Sequence, residues 1–344
     1  MFKLKITAPF KIERDENDEI PFISEDEVLV SIKRVSLCGS DIKLLKGEYD
    51  GPCHYPVIFG HEWSGEITGT AADEKLFKVG DRVTGDCSLF CDECDACKKD
   101  KNLCRNIKKA GITTDGYARD LAVVKKKYIY KASGEISFKA LALCEIFAVA
   151  LHAIKRSGIK PEDKNNILII GCGAVGLAAF FLLKYKYKYK NISLKELFSD
   201  KRTALKNIFS GEFADDSFVS GGYRTDGTYE DIYDSKGFDY VFEASGSTNG
   251  LADAMMLAAP EGIISYLGMS NRPLEMSKLI TLKALKLSGS IGGTGEFEEV
   301  LEFFKEYGVL AEKMVTFEID CRHAEEAFFK AVTDPGNIKS QIVF

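Results

Sequence analysis

Apolar and polar positions along this chain follow two periods. Glu27-Val-Leu-Val-Ser-Ile-Lys33 alternates with period two and predicts a strand with one buried face. Residues 37–85 are rich in glycine and short strand-like runs, and Gly80-Asp-Arg-Val83 reads as a turn entering a strand. Tyr117–Tyr130 is again strand-like, whereas Leu141–Lys155 places Ile146, Val149, Ala150, Ala153 and Ile154 on one helical side. From residue 164 the pattern changes. Asn166-Ile-Leu-Ile-Ile170 is a short apolar run backed by a glycine turn, and strand/helix units continue through Leu194–Asp200, Phe238–Glu243 and Gly262–Gly268. That succession predicts an α/β fold with a doubly wound parallel Rossmann sheet. Phe297–Tyr307 and Ala324–Val332 have the spacing of amphipathic helices.

Residues 86–116 show neither period. They are polar and charged, and cannot order themselves by burying apolar surface, so a metal-held lobe is the natural expectation. Cysteine usage agrees. Of ten cysteines, five fall within residues 87–104, and no apolar leader precedes the first strand, so a reducing, cytoplasmic setting is expected, where clustered thiols serve metal. Cys91, Cys94, Cys97 and Cys104 can close a tetrahedral shell around Zn²⁺, leaving no open position, which makes that metal structural. Cys87 is a spare, expected to be buried rather than ligating.

The chain of 344 residues suits two domains, and its net charge of −6 favours neither nucleic acid nor an anionic membrane surface. The uncharged run Ile167–Leu183 approaches spanning length, but its three glycines fit a buried strand–turn–helix better. Lys184-Tyr-Lys-Tyr-Lys-Tyr-Lys190 is read as a solvated helix end plus loop.

Gly171-Cys-Gly-Ala-Val-Gly176 follows a predicted strand and opens a predicted helix, the context in which G-x-G-x-x-G binds a dinucleotide. Gly171 allows the tight turn, Gly173 admits a pyrophosphate and Gly176 lets helix and strand pack closely. Val175 lies in the same turn, and Gly246 follows the later strand. Asp200 is the candidate acid for the adenosine ribose, which favours NAD over NADP, although Lys201 and Arg202 adjoin it.

Together these features resemble the zinc-containing medium-chain dehydrogenase/reductase family, especially its polyol and sugar-phosphate branch. The resemblance covers nearly the whole chain. It is carried by Cys38-Gly-Ser-Asp41, Gly60-His-Glu62, Gly80-Asp-Arg-Val83, the four-cysteine lobe, Glu145-Ile-Phe-Ala-Val-Ala-Leu-His152 and the glycine turn. It implies a mainly-β GroES-like catalytic domain at 1–145, with a zinc lobe at 86–110, a Rossmann domain at 146–277 and a return to the catalytic domain at 278–344. It implies a catalytic zinc on Cys38, His61 and Glu145, so two zinc ions per chain, with Glu62 beside the metal or exchanging onto it. Ser40 matches the hydroxyl of the proton relay. Taken singly, Cys38 fits a buried small hydrophobe, His61 a structural histidine and Glu145 a helix N-terminus. Cys144 is a rival third ligand, and His152 is expected to pack.

Three departures stand out. The interval from Cys97 to Cys104 is one residue shorter than usual, Ile146 replaces a common proline, and Lys43 stands where many members have a relay histidine. The implied activity is hydride transfer between a nicotinamide and the secondary alcohol or ketone of a polyol or sugar phosphate. Lys46, His54 and Arg272 are possible phosphate contacts, with surface exposure the simpler expectation for each, as it is for His323. A dimer or tetramer is usual in such a family. Two alternatives are a dehydrogenase of another secondary alcohol such as threonine, and a non-catalytic dinucleotide sensor on the same fold.

Overall fold

Glu27–Ser36 buries Val28, Val30 and Ile32 in alternation and then Val35 and Ser36, and it organises the first half of the molecule. In this computed structural model it pairs antiparallel with Glu62–Thr70 on one side and Lys339–Val343 on the other. The sheet runs, in spatial order, Ile129–Lys131, Arg82–Gly85, Glu62–Thr70, Glu27–Ser36, Lys339–Val343 and Val315–Asp320, and Leu121–Lys125 also pairs with Glu27–Ser36. A smaller sheet of Lys11–Glu16, Phe2–Ala8 and Val57–Ile58 lies in the same unit. One apolar cluster is built on Val30, Ile32, Val35, Trp63 and Ile67, and another on Leu4, Ile6, Leu44, Phe59 and Phe328. The structure describes residues 1–16, 21–71, 74–160, 166–213, 218–219, 228–233, 237–268 and 277–344.

The chain divides into two units, Met1–Ala148 with Gly293–Phe344, and Val149–Gly292. The second unit is the doubly wound domain. Its strands are all parallel, in the order Ile192–Lys195, Ile167–Ile170, Phe238–Glu243, Ala258–Tyr266 and Lys286–Gly289. Ile167–Ile170 is buried at every position, as a central parallel strand should be. The return to the first unit lies at Gly293, later than the expected 278, because Lys286–Gly289 is an edge strand of the parallel sheet.

Several boundaries shift. The second parallel strand is Ile192–Lys195, not Leu194–Asp200, since a helix occupies Ser199–Ile208. Helix Cys144–Ser157 begins three residues after the expected start. The Lys/Tyr run holds a π turn at Leu182–Lys186, and its Tyr189 is buried rather than solvated. Among the described residues no helix is long and apolar enough to cross a membrane.

Candidate active site and metal centres

Sheet register assembles the first site. Ser36 pairs with Glu62 and with Gln341. Cys38 therefore emerges two residues past one strand, His61 one residue before the next, and Lys339 two residues before the third pairing position. Three distant segments of sequence thus deliver their chemistry to one end of one sheet.

Cys38 precedes the helix Gly39–Lys46, and its backbone N–H donates to Asp41 Oδ2 at 2.8 Å. Asp41 is fully buried. Its other oxygen accepts from Gly60 N at 3.2 Å and lies 3.5 Å from His61 Nδ1. Ser40 Oγ sits 3.3 Å from Nε2 of the same ring. Burial alone would lower the basicity of His61, but the Asp41 carboxylate and Cys38 more than offset it, and its pKa is raised well above the ordinary value. A carboxylate on one ring nitrogen leaves the other for a metal.

The third expected residue lies outside the cluster. Ligand atoms of Cys38, His61 and Glu62 all lie within 4.8 Å of one another, and Glu145 is not of that group. Its Oε1 instead accepts from the Cys87 thiol at 3.4 Å. Glu145 is nevertheless part of the same buried neighbourhood. Burial raises its pKa, the nearby Glu62 charge adds to that, and His61 opposes. Burial also pushes the Cys87 thiol up, reinforced by Glu145, so the sulfur stays protonated and can donate. Glu62 is wholly buried. Its Oε1 accepts from Lys339 Nζ at 2.8 Å, while its Oε2 has no hydrogen-bond partner. Desolvation would lower the pKa of buried Lys339, but Glu62 and Cys38 outweigh it and raise it.

One thiolate, one imidazole and one carboxylate make a mixed donor set of the kind that holds zinc with a fourth position open. The orphaned Glu62 oxygen fits such an ion, because a buried carboxylate oxygen left without donors is costly. Sequence reasoning gave Asp41 no role and missed Lys339. Asp41 was signalled by its place three residues after Cys38, where it closes a capping box. Lys339 was signalled only by a cation opening an otherwise uncharged final strand.

Cys91, Cys94, Cys97 and Cys104 come together as expected. Their sulfurs lie 3.5 Å (Cys94–Cys97 and Cys91–Cys104) and 3.9 Å (Cys91–Cys97) apart. A tetrahedron with bonds of about 2.3 Å has edges of ~3.8 Å, so the cage has the size of zinc. Backbone N–H groups of Glu93 and Cys94 pull the Cys91 thiol down to about 6, while burial pushes Cys97 up to about 12.

In the second unit Gly171 has φ 88, and a Cβ there would meet the Ser245 backbone at 2.6 Å. Gly176 has no room either, since its Cβ would fall 2.0 Å from Gly171 O. Gly173, by contrast, faces open space at the start of the helix Ala174–Phe181, which carries Val175. Gly246, also at positive φ, likewise faces open space just past Phe238–Glu243. Asp200 does not close the second strand. It is exposed in the first turn of the following helix. The residue just past Lys195 is Glu196, buried, whose carboxylate accepts from Cys172 N at 3.2 Å inside the glycine turn. It lies twenty residues beyond Gly176, the spacing the fingerprint calls for.

Cys144 and His152 are both buried, and both lie outside the metal group. His54, Lys43 and His323 are exposed and Lys46 is half-buried. Arg272 lies outside the described residues.

Residues 24–134 match the alcohol dehydrogenase GroES-like domain, and residues 174–306 match the zinc-binding dehydrogenase domain. The chain is 27% identical to the starvation-sensing protein RspB of Escherichia coli, over 90% of this chain and 89% of that one. It is 27% identical to D-arabitol-phosphate dehydrogenase of Enterococcus avium (94% and 91% covered) and 29% identical to D-altritol 5-dehydrogenase of Agrobacterium fabrum (91% of each). The crystal structure of the E. coli rspB protein with NADH superposes with a TM-score of 0.87 at 24% identity, covering 100% of this chain and 99% of that one. With a GroES-like and a zinc-binding dehydrogenase domain in family order, the chain belongs to the zinc-type medium-chain alcohol dehydrogenase family and is an oxidoreductase.

Proposed function

We propose that the chain transfers a hydride between NAD and the secondary alcohol or ketone of a polyol or sugar phosphate, with a catalytic zinc and a structural zinc. The observation that carries this is the convergence of ligand atoms of Cys38, His61 and Glu62 within 4.8 Å of one another, beside a buried cation. Cys38 and His61 hold the metal, and a carboxylate takes the third place: Glu62 as the side chains stand, Glu145 if it turns off Cys87. Bound zinc supplies Lewis acidity, which lowers the pKa of a coordinated hydroxyl and stabilises negative charge on its oxygen.

The chain's own groups do the rest. Asp41 fixes the ring of His61 by facing Nδ1. Ser40, half-buried and within reach of that ring, accepts the substrate hydroxyl proton and passes it to water. Lys43 is exposed and supplies no buried base. In the other unit, the N–H groups of the turn Gly171–Gly176 hold the pyrophosphate at the helix N-terminus, beside Gly246. Glu196 holds the adenosine ribose diol, the role expected of Asp200, and its charge disfavours a 2′-phosphate.

The substrate class rests on the relatives' own activities on arabitol phosphate and altritol. RspB, a starvation-sensing protein, supports a second reading as a dinucleotide sensor. A panel of polyols, sugar phosphates and threonine, each with NAD and NADP, combined with metal analysis, separates them. Two zinc ions per chain and turnover of a polyol or its phosphate with NAD is the expected result. Turnover of threonine alone moves the substrate class. One zinc and no turnover on the panel favours the sensor.

A further inference from the structure

Glu62 belongs to the Cys38–His61 group, buried Glu145 lies near enough to feel the charges of Glu62 and His61, and each carboxylate has a separate holder. Glu62 Oε1 is on Lys339 Nζ at 2.8 Å, and Glu145 Oε1 is on the Cys87 thiol at 3.4 Å. Cys87 comes from the segment just past Arg82–Gly85 and is buried, with its backbone oxygen accepting from Ala110 N at 3.0 Å. The thiol is thus set by the sheet and by the edge of the cysteine lobe, not by the metal ligands. Neither the four-cysteine cage nor the Cys38 group includes it.

Its place matters because of coordination number. Cys38, His61 and one carboxylate leave a fourth corner for substrate. Both carboxylates together would make four protein ligands, a closed shell of the structural type. The geometry points to Cys87 as a positioning residue whose hydrogen bond keeps Glu145 off the metal and so keeps the substrate corner open. A thiol suits this task. It is small enough for the buried site, and a weaker donor than an ammonium, so it restrains the carboxylate without locking it. This rests on Cys38 and His61 being ligands of the catalytic zinc.

The test uses the full chain with zinc kept in the four-cysteine lobe and cobalt(II) in the Cys38 site. Azide serves as the external ligand, and zinc affinity is measured by chelator competition. In the unaltered protein azide should shift the cobalt d–d bands. In Cys87→Ala the azide response should be lost, and zinc should bind the Cys38 site about tenfold more tightly, within the range that outer partners of metal ligands command. Cys87→Ser keeps a donor and should restore both values. The double variant Cys87→Ala/Glu145→Gln should restore azide access, because the intruding ligand is weakened. Lobe zinc content and the thermal unfolding curve verify that each variant is folded.

Unchanged azide response and zinc affinity in Cys87→Ala would overturn the proposal while leaving the dehydrogenase reading intact. A thiolate-to-cobalt charge-transfer band halved in both Cys87 variants would overturn it differently, by making the sulfur itself a ligand. If the unaltered protein takes up metal only in the lobe, the ligand reading fails and the proposal falls with it.

Discussion

A carboxylate immediately past a parallel strand does different work from one in the next helix, and the pair Glu196 and Asp200 illustrates it. Glu196 is buried against the glycine turn, while Asp200 is exposed. Replacing Glu196 by Ala should raise KM for NAD about tenfold to a hundredfold, the worth of hydrogen bonds to a charged group, and narrow the preference over NADP. Asp200→Ala should leave both nearly unchanged, and steady-state kinetics with the two coenzymes checks this. If Ser40 serves the proposed relay, Ser40→Ala should lower kcat by about 10²–10⁴ while zinc content stays unchanged, since a relay hydroxyl moves a proton and does not bind the metal. Residue spacing made the cysteine cage, Cys38 and His61 legible in the sequence. Asp200 looks like the residue that closes the second strand because Leu197 and Phe198 prolong the apolar run of a strand that ends at Lys195; both are exposed in the structure. The resemblance ranks Glu145 above Glu62 as the third ligand, and spacing alone cannot test that ranking, because the partners that hold the two carboxylates, the Cys87 thiol and Lys339, come from distant segments.

Elements were legible where one face is buried and the period is clean, as in Glu27–Ser36 and Phe297–Glu312. They were harder to place where a helix end is completed from afar. The helix Thr248–Leu257 is closed locally by Ala258 N–H on Ala254 O, but later carbonyls are met from afar. Lys283, buried and distant in sequence, donates to Met256 O and Ala258 O, both at 2.8 Å. Desolvation lowers its pKa, yet the carbonyls need the ammonium's protons. Lys283→Met should cost roughly 1–3 kcal/mol of stability, measured by denaturant unfolding, because it orphans buried acceptors. The strand Val315–Asp320 has a tie of another kind. Glu318 bridges Arg34 and Lys139 from two other elements. Burial raises its pKa, but the hydrogen bonds from Lys139 and Arg34 prevail and the net shift is downward. A carboxyl depressed on folding stabilises above its ordinary pKa, and that contribution disappears as pH falls through the depressed value. Unfolding measured across the acid range should therefore show a loss that Glu318→Gln flattens.

At the scale of the whole molecule the two units carry separate candidate sites. The metal residues belong to Met1–Ala148 with Gly293–Phe344, and the glycine turn belongs to Val149–Gly292. Calorimetry should resolve this division. NAD at a hundred times its Kd should stabilise the parallel-sheet unit by about 2.7 kcal/mol, whereas a chelator should lower the transition of the other unit. A chelator that shifted both transitions equally would contradict it. Within the unit of the candidate metal residues, Lys339–Val343 lies inside its sheet, between Glu27–Ser36 and the edge strand Val315–Asp320. During synthesis that place stays vacant until some three hundred residues after Cys38 have left the ribosome. Until then Glu62 lacks its ammonium, and two strands present bare edges. The pocket around Cys38 and His61 is therefore finished only when the last strand docks and brings Lys339 onto Glu62.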